Sequence, residues 1–431
     1  MTKMVYKKKI SFLCVCPCYY PAFEHGGPIY SMHNLDKGLI NNGVDVEVYT
    51  TNQFLSNKVK VNNKTIIDGV TVTYFDYNRA FDFFTSNGWH FSWSLISALK
   101  KNIPRFDIVH LPTIWNFTTV IAAYFCRKYN KPYIISPHGQ LYPYTFNHKG
   151  WKKWIYYHLI SRYDLKMAKA IRYTSRDEAI KVDKFLNLKT NSFILPNGLD
   201  LSEFENLPKK EELVKQYPFL KGKKVILFLG RICSKKGLNI LIDSFNRLSG
   251  EMDNLHLLIV GPDFENYKHK LKIIMRSLRI KYQDLSSKNT LKSRLNYRSD
   301  LDSKKANVTF TGLLTGRQRL AAFTGSDVFV LESYSENFGM AICESMFCET
   351  PVIISDQVGI SSDLKCANAA IVTKIDSSIL YQKIKLLLED PVLQKRLISN
   401  AKKYVEDHYC MDVISSLMND HILRFIGKSR K

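Results

Sequence analysis

Short runs of apolar, often β-branched residues alternate along this chain with longer segments whose apolar positions recur every three or four residues. Residues 10–16 form the first short run, and residues 28–41 after it place their apolar side chains on one helical face. Further predicted strands cover residues 44–50, 106–111, 132–137, 170–174 and 192–195. Strands that alternate with helical segments predict βαβ units, and hence a parallel sheet with helices on both faces.

The same alternation starts again after residues 207–222, a segment rich in Lys, Glu and Pro that we interpret as a linker. Residues 225–229 are the first buried strand of the second series, and residues 237–248 are its first helix. Later predicted strands cover residues 255–260, 308–311, 328–331, 352–355 and 369–372. A chain of 431 residues has room for two domains of ordinary size. We therefore predict an α/β protein with two doubly wound domains.

The charge of the chain narrows the choice of partner. Its 62 Lys and Arg residues outnumber its 39 Asp and Glu residues, which gives a formal net charge of +23. This excess favours anionic partners such as phosphates, nucleic acid or an anionic membrane face. Residues 268–305 alone hold 12 basic and 3 acidic residues. We interpret that segment either as a solvated face or as a patch that meets phosphate or membrane.

The sequence indicates neither export nor a disulfide framework. The apolar run at residues 10–16 is short, Pro17 ends it, and no small-residue cleavage site follows. No segment reaches the roughly 18–20 apolar residues that a membrane span needs. Nine cysteines, an odd number in a long chain, are typical of small buried side chains in a reducing compartment. We therefore expect a cytoplasmic protein.

The segment Gly230-Arg-Ile-Cys-Ser-Lys-Lys-Gly237 connects a predicted strand to a predicted helix. The backbone N–H groups at a helix N-terminus, together with the helix dipole, favour bound phosphate. Arg231 and Lys236 would add full positive charges to such a site. The alternative interpretation is an ordinary basic turn at the surface.

Two glutamates, Glu336 and Glu344, lie eight residues apart around an apolar segment. On a helix this spacing spans about 12 Å, whereas the acid and base of a glycosidase lie about 5–10 Å apart. The pair could instead hold two hydroxyl-bearing parts of one long ligand. We expect Asn337 or a neighbouring serine to cap a helix that starts here, and Gly339 in its first turn indicates close approach of backbone. The alternative is one capping and one surface glutamate.

Two glycine-containing loops follow predicted strands of the first domain. In Ser136-Pro-His138-Gly139 the glycine indicates tight backbone near a ligand, whereas a lone histidine there is more often structural. The loop His25-Gly26-Gly27-Pro28 opens a helix but lacks the third glycine of a dinucleotide fingerprint. As a cofactor motif it therefore fails.

Taken in their order, these motifs resemble those of the retaining glycosyltransferases of family 4, the group 1 type, which have the two-domain GT-B fold. The similarity extends over residues 9–420 and is strongest over residues 315–360, where SDVFVLESYSENFGMAICESMFCETPVIISDQVGI resembles the donor-site block of that family. Bacterial members that elongate surface polysaccharides share SPHGQLYP followed by a helix rich in Trp and Lys.

The resemblance implies two Rossmann-like domains that face a central cleft. Residues 1–205 would form the acceptor-side domain, to which a C-terminal helix at about residues 410–431 would return. Residues 206–410 would bind the nucleotide sugar and carry a basic insertion at about residues 264–306.

The resemblance also implies which residues bind the donor. Glu336 would contact hydroxyls of the donor sugar, Glu344 would contact the nucleotide ribose, and His138 would lie over the reacting sugar. The other donor-binding positions that it implies are Gly26, Gly27, Arg231, Lys236, Asn337, Phe338 and Gly339.

The implied reaction transfers a hexose, with retention of configuration, from a UDP- or GDP-sugar to a hydroxyl group of a glycan acceptor. We expect a lipid-linked acceptor and a part in capsule, O-antigen or exopolysaccharide synthesis. Fixed positive groups can stabilise a diphosphate leaving group without a metal, and we expect neither metal nor cofactor.

Two other classes of function stay open at this point. One is a catalytically inactive partner protein with the same fold. The other is a nucleic-acid-binding protein, which would explain the charge; the sequence lacks a recognisable recognition module, so we expect no nucleic acid partner.

Basic and aromatic side chains alternate in residues 148–158, HKGWKKWIYYH, as they do in helices that lie at a membrane interface. A packed helix with half-exposed aromatic rings would give the same pattern. Together with the basic insertion, this segment makes the inner face of the cell membrane a further candidate partner, with the protein bound peripherally.

Overall fold

A computed structural model describes residues 9–22, 27–55, 59–79, 89–147, 150–286 and 307–427 of the chain. The chain divides into two compact units, Met1–Leu199 with Tyr409–Lys431, and Asp200–His408. The division thus falls after Leu199, slightly before the expected residue 205. The cause is Phe204, which is buried and whose ring centroid lies 5.4 Å from that of Phe347 in the second unit.

The first unit contains an eight-stranded sheet. Its strands are β1 (Ser11–Val15), β2 (Asp45–Thr51), β3 (Lys64–Ile67), β4 (Val70–Phe75), β5 (Ile108–Leu111), β6 (Tyr133–Ile135), β7 (Ala170–Tyr173) and β8 (Ser192–Ile194). They lie in the order β3-β4-β2-β1-β5-β6-β7-β8. All neighbours pair in parallel except β3, which is antiparallel to β4. The strands β3 and β4 were not among the predicted strands, although Asp68 and Gly69 between them, at φ +47° and +82°, are a typical hairpin turn.

Helices cover both faces of this sheet. They are α1 (Gly27–Asn41), α2 (Trp93–Asn102), α3 (Phe117–Lys128), α4 (Pro143–Asn147), α5 (Gly150–Tyr156), α6 (Arg162–Met167) and α7 (Arg176–Leu186). Side chains of β1 alternate between two cores, with Leu13 and Val15 in one and Phe12 and Cys14 in the other. This alternation explains why a central parallel strand is apolar throughout.

The second unit contains a seven-stranded parallel sheet. Its strands are β9 (Lys224–Leu229), β10 (Leu255–Val260), β11 (Tyr282–Asp284), β12 (Val308–Gly312), β13 (Val328–Leu331), β14 (Val352–Ser355) and β15 (Ile371–Thr373). Their order is β11-β12-β10-β9-β13-β14-β15. Its helices are α8 (Lys210–Gln216), α9 (Leu238–Ser249), α10 (Tyr267–Ser277), α11 (Gly316–Thr324), α12 (Met340–Phe347), α13 (Ser361–Cys366), α14 (Ser377–Glu389) and α15 (Pro391–His408). The prediction of two doubly wound α/β domains is confirmed.

The last helix, α16 (Met411–Phe425), packs against α1 in the first unit. Gly38 permits the close approach, because a Cβ atom there would lie only 2.6 Å from Cβ of Ser415. Asn42 donates a hydrogen bond to Oγ of Ser415 at 3.0 Å. The apolar face of α16, including Met418 and Ile422, belongs to the same core as β1.

The described part of the predicted basic insertion is an integral part of the second sheet. Residues 267–284 form α10 and the edge strand β11, and the side chains of Leu271 and Met275 are fully buried. Lys268 and Lys272 both contact Asp284, at 2.9 and 2.7 Å. Part of the basic charge of this segment is therefore neutralised within the fold, while residues 287–306 lie outside the described residues.

Candidate active site

The carboxyl ends of β9 and β13 lie side by side at the point where the strand order of the second sheet reverses. Ligands of doubly wound sheets bind at this position. The loop 230–237 follows β9 and the loop 332–339 follows β13, so the structure brings the two predicted motifs of the second domain together.

The two loops contact each other backbone against backbone. Gly237, at φ +65°, precedes α9, and a Cβ atom on it would lie 1.8 Å from the carbonyl oxygen of Glu332. The N–H of Tyr334 donates to the carbonyl oxygen of Lys235 at 2.9 Å. Only glycine fits at position 237, and this contact fixes the lysines of one loop against the carboxylate of the other.

Lys236 and Glu336 form an ion pair in which the ammonium group donates to the carboxylate. Their side chains are 13% and 17% exposed. Burial raises the pKa of Glu336, but Lys236, Lys235 and Arg231 lower it by more, so the pKa lies below its ordinary value. Glu336 is therefore a carboxylate at neutral pH.

Three cations, Arg231, Lys235 and Lys236, act electrostatically on this one carboxylate just before α9. Burial lowers the pKa of Lys235, and the neighbouring Lys236 and Arg231 add to that effect while Glu336 opposes it. The exposed guanidinium group of Arg231 lies 5.2 Å from the centroid of the Phe264 ring. A cluster of cations beside a helix N-terminus is suited to a phosphate or diphosphate group.

The prediction that a helix starts near Glu336 is wrong, because α12 starts only at Met340. Gly339 precedes it at φ +79°, and no side chain caps the helix. Glu336 lies in the preceding loop, where its N–H donates to the carbonyl oxygen of Gln357 at 3.1 Å and its carbonyl oxygen accepts from Gly359 at 2.8 Å. The helical spacing of about 12 Å to Glu344 therefore does not apply.

The other expected residues of this loop are positioned by α12. The side chain of Phe338 is buried in the core, so only its backbone could meet a ligand. A Cβ atom on Gly339 would lie 2.7 Å from Cδ1 of Ile342, which explains a glycine at the start of the helix. Asn337 lies between these residues and Glu336 in the same loop.

Glu344 lies on α12, where it accepts a hydrogen bond at 3.2 Å from Arg319 of α11. A second nitrogen of Arg319 donates to Glu203 at 3.0 Å. Burial raises the pKa of Glu344, and Arg319 lowers it only in part. Arg319 was not predicted from the sequence, because Arg317 stands two positions earlier on the same helix and no local feature distinguishes the two arginines.

Glu332 is a buried carboxyl group that the sequence analysis also missed. It follows β13, and one of its oxygens accepts a hydrogen bond from the hydroxyl of Thr373. The other oxygen has no partner among the residues that the structure describes. Burial raises its pKa to about 7, with a further contribution from Asp356. The only signal in the sequence is an acid directly after a buried strand.

His138 lies in the first unit, after the carboxyl end of β6. It has φ +47°, and both of its ring nitrogens are buried with no hydrogen-bond partner in the described part of the chain. Burial, and secondly Arg172, lower its pKa to about 3, so the imidazole is neutral at physiological pH. A buried polar ring without a partner is costly, which is consistent with a site that a ligand completes.

Glu178 holds the loop that carries His138. This buried carboxylate accepts hydrogen bonds from the N–H of Gly139 at 2.5 Å and from the N–H of Thr174 at 2.8 Å. The pattern Ser175-x-x-Glu178 is a capping box in sequence, but only Ser175 caps the helix while the glutamate reaches the neighbouring loop. Of the two glycines expected near the donor, Gly27 is the first residue of α1 and Gly26 lies outside the described residues.

Within the described ranges, no group of three or more His, Cys, Asp or Glu side chains is arranged to hold a metal ion. None of the described helices combines the length and the apolar composition that crossing a bilayer requires.

Two families of known proteins match successive parts of the chain. Residues 25–203 match the family described as Glycosyltransferase Family 4, and residues 209–404 match the family described as Glycosyl transferases group 1. The two matches correspond closely to the two units of the structure.

Curated relatives are distant. An uncharacterized glycosyltransferase of Methanocaldococcus jannaschii is 22% identical over 416 residues, which cover 92% of this chain and 94% of the relative. The capsular polysaccharide biosynthesis glycosyltransferase CapM of Staphylococcus aureus is 25% identical over 235 residues, 54% of each chain. The phosphatidyl-myo-inositol mannosyltransferase of Mycobacterium leprae is 24% identical over 234 residues, 54% of this chain and 53% of the relative.

Solved structures share the fold over nearly the whole chain. The Anabaena protein HepE, crystallised with UDP and glucose, superposes with a TM-score of 0.70 over 96% of this chain and 100% of that chain, at 16% identity. The same protein has also been crystallised with UDP-glucose. Because both halves match glycosyltransferase families and the fold is shared from end to end, this chain belongs to the GT-B glycosyltransferases, with a family 4 domain followed by a group 1 domain.

Proposed function

We propose that this protein is a retaining hexosyltransferase that uses a nucleoside diphosphate sugar, with UDP as the first candidate nucleotide. The observation that carries the proposal is the cation cluster of Arg231, Lys235 and Lys236 at the switch point of the second sheet. UDP is favoured because HepE, which has the same fold, binds UDP and UDP-glucose in its crystals.

The proposal gives functions to five of the expected residues. Lys236 and Arg231 stabilise the charge that develops on the leaving diphosphate, and fixed donors of this kind contribute several kcal/mol each, on the order of 3. The ionised Glu336 accepts hydrogen bonds from hydroxyls of the donor sugar, and Glu344 does so from the ribose. The neutral His138 contacts the reacting sugar, and its unpartnered nitrogens support that assignment.

The acceptor in this proposal is a hydroxyl group of a lipid-linked glycan, in the synthesis of a cell-surface polysaccharide. The names of two relatives support it, one a capsular polysaccharide glycosyltransferase and one a mannosyltransferase of a phosphatidyl lipid. The bond between the anomeric carbon and the diphosphate oxygen breaks as the acceptor oxygen forms its bond on the same face, and the acceptor proton passes to an oxygen of the departing diphosphate. Metal-independent transfer is part of the proposal, and the cluster of Arg231, Lys235 and Lys236 near the start of α9 supports it.

The first experiment is a thermal-shift series with UDP, GDP, ADP and their common sugar conjugates, each with and without EDTA. A nucleotide at 100 times its Kd stabilises the protein by about 2.7 kcal/mol, which is easily measured. We expect UDP to raise the Tm regardless of EDTA. A shift that EDTA abolishes would contradict metal independence, and no shift with any nucleotide would contradict the donor site.

The second experiment separates an active enzyme from a catalytically inactive protein of the same fold. Glu336→Gln should abolish hydrolysis and transfer of the donor identified above and change nucleotide affinity by no more than about threefold, within 0.7 kcal/mol. The same change at the exposed Glu389 is the control. A large loss of nucleotide affinity would show that the two glutamates have been assigned the wrong way round, and a wild-type protein without turnover would favour the inactive partner.

A further inference from the structure

A row of exposed apolar side chains runs along one helical segment at the surface of the first unit. The segment comprises α5, a π-helical turn at Tyr157–Ser161, and α6. The row, which we call the 151–167 stripe, consists of Trp151, Ile155, Leu159, Tyr163 and Met167, exposed by 67, 51, 75, 55 and 51%. Contiguous exposed apolar surface of this kind usually marks a binding face.

The π-helical turn keeps the stripe on one face. In an α-helix of 3.6 residues per turn, every fourth residue drifts steadily around the axis. The π-helical turn closes its hydrogen bonds one residue further along than an α-helical turn does, which rotates the following residues back. Leu159 lies within that turn, so the residues before and after it stay aligned.

The opposite face of the segment is what anchors it to the unit. The ring of Trp154 lies 5.0 Å from that of Phe146 and 5.6 Å from that of Phe185, and Tyr157 and Leu165 belong to the adjoining core. A separate set of side chains therefore anchors the segment to the first unit, although Tyr163 of the stripe also lies with its ring centroid 4.8 Å from the guanidinium group of Arg127.

An apolar groove of about 310 Å³ extends this surface. Among its lining residues are Phe117, Val120, Ile121 and Tyr124 from α3, with Leu159 and Tyr163 of the stripe. Tyr124 is 48% exposed. The groove therefore opens at the same surface as the stripe and enlarges its apolar area.

The charge of residues 117–169, which include the stripe and α3, is almost entirely positive. From Phe117 to Lys169 the chain has nine Lys and Arg residues and a single acid, Asp164. That acid is buried and forms an ion pair with Arg127. Lys152, Arg162 and Lys166 are exposed, and each stands one position from a residue of the stripe.

We propose that the 151–167 stripe and its flanking basic side chains dock the first unit on an anionic lipid bilayer, with the helical segment lying in the plane of the headgroups. Trp and Tyr side chains suit the boundary between headgroups and acyl chains, and lysine and arginine bind the lipid phosphates from the same face. The absence of exposed acids in residues 117–169 favours a uniformly anionic surface over a protein partner of mixed charge. This inference concerns where the enzyme binds and goes beyond the proposed reaction.

The test is co-sedimentation of the full chain with vesicles of phosphatidylglycerol and phosphatidylcholine, and with vesicles of phosphatidylcholine alone. We expect binding to the anionic vesicles only, and weaker binding as salt is raised. Leu159→Asn should lower the lipid partition coefficient by about tenfold or more, since one large apolar side chain no longer enters the bilayer. Lys152→Gln combined with Lys166→Gln should lower it by a similar factor. Val392→Asn on α15, where the side chain is 77% exposed, is the matched control and should bind as the wild type does.

Three results would overturn the proposal. The first is a wild-type protein that does not sediment with anionic vesicles, and the second is unchanged binding of both stripe variants. The third is a lipid-free dimer in analytical ultracentrifugation that Leu159→Asn converts to monomer, which would make the stripe an interface between copies of this chain. The thermal shift with UDP is measured on every variant; if it persists while docking fails, the proposed donor site stands and only the docking is wrong.

Discussion

The ammonium group of Lys236 donates a hydrogen bond to the carboxylate of Glu336, 100 positions further along the chain. The pairing arises because β9 and β13 are neighbours at the reversal of the strand order. In the protein without donor, Glu336, which we propose binds the sugar, thus accepts a hydrogen bond from Lys236, which we propose binds the diphosphate. We expect donor binding to add a second anion to the same lysine, with Arg231 and Lys235 supplying the remaining charge.

Replacing Lys236 tests that arrangement directly. Lys236→Met should weaken the binding of nucleoside diphosphate by about 1.5–3 kcal/mol, as for the loss of a charge-assisted hydrogen bond, which is about 10- to 150-fold in Kd. Isothermal titration calorimetry measures the Kd of the nucleoside diphosphate. The control is Lys403→Met, at an exposed position of the second unit. Unchanged affinity would remove Lys236 from the site.

Arg319 should act on the nucleotide through Glu344, with which it shares a hydrogen bond. Arg319→Met leaves a buried carboxyl group without its counter-charge, so we expect stability to fall by up to about 3–5 kcal/mol and the pKa of Glu344 to rise further. Nucleotide affinity should then fall as the pH is lowered, at a higher pH than in the wild type, and Arg319→Lys should restore part of it.

Arg317 offers a matched control for that prediction. It lies on the same helix, but its ion pair with Glu212 is more exposed, with side chains 58% and 32% exposed. Arg317→Met should therefore change the stability of the fold much less than Arg319→Met does, because solvent screens an exposed ion pair. An equal loss of nucleotide affinity in both variants would show that neither arginine has a specific effect on Glu344.

Gly237→Ala should disrupt the contact between the two loops. A Cβ atom there would lie 1.8 Å from the carbonyl oxygen of Glu332. The alanine variant must therefore shift the backbone of one of the two loops, and it must also hold Ala at the strained φ of Gly237. Gly222, at φ +75°, is the control, because a Cβ atom there would have no described atom within 4 Å. Gly222→Ala therefore adds only the backbone strain and should lower the free energy of unfolding by about 1–2 kcal/mol. We expect Gly237→Ala to lower the free energy of unfolding, measured by chemical denaturation, by more than Gly222→Ala does, and to weaken nucleotide binding. Equal effects in the two variants would contradict the close contact.

Glu332 should make the stability of the fold depend on pH near neutrality. Its pKa is about 7 in the folded protein and about 4.3 in an unfolded chain. The stabilisation from its protonated form is therefore fully present below about pH 4 and is lost as the pH rises through 7. The free energy of unfolding should therefore be lower above pH 7 than below pH 4 by an amount on the order of 3 kcal/mol.

Glu332→Gln cannot ionise and should keep this stabilisation at high pH. The variant should therefore gain stability relative to the wild type between about pH 5 and about pH 8.5, measured as the midpoint of urea unfolding. Glu389→Gln controls for the loss of one negative charge. A difference between wild type and Glu332→Gln that does not change with pH would show that the carboxyl group is not buried as the structure has it.

The sequence by itself determined the two doubly wound domains, because a parallel strand buried on both faces is apolar at every position, as in residues 225–229. It also indicated Lys236 and Glu336 as candidate site residues, which lie in the loops that follow two of these strands. The strands β3 and β4 were not predicted, although the strict alternation of apolar and polar residues from Val70 to Thr73 and the Asp68-Gly69 turn are typical of a hairpin.

Only the tertiary structure decided how these residues are paired. The order of the strands decides which side chains meet, and no local sequence pattern predicts that order. It determines the ion pair between Lys236 and Glu336, the partners of Arg319, and the Glu332 oxygen that lacks a partner among the described residues. The stripe at residues 151–167 is the clearest case. Its alternating basic and aromatic residues fit a packed helix as well as an interfacial one, and only the three-dimensional packing shows which face is buried, because burial depends on residues distant in the chain.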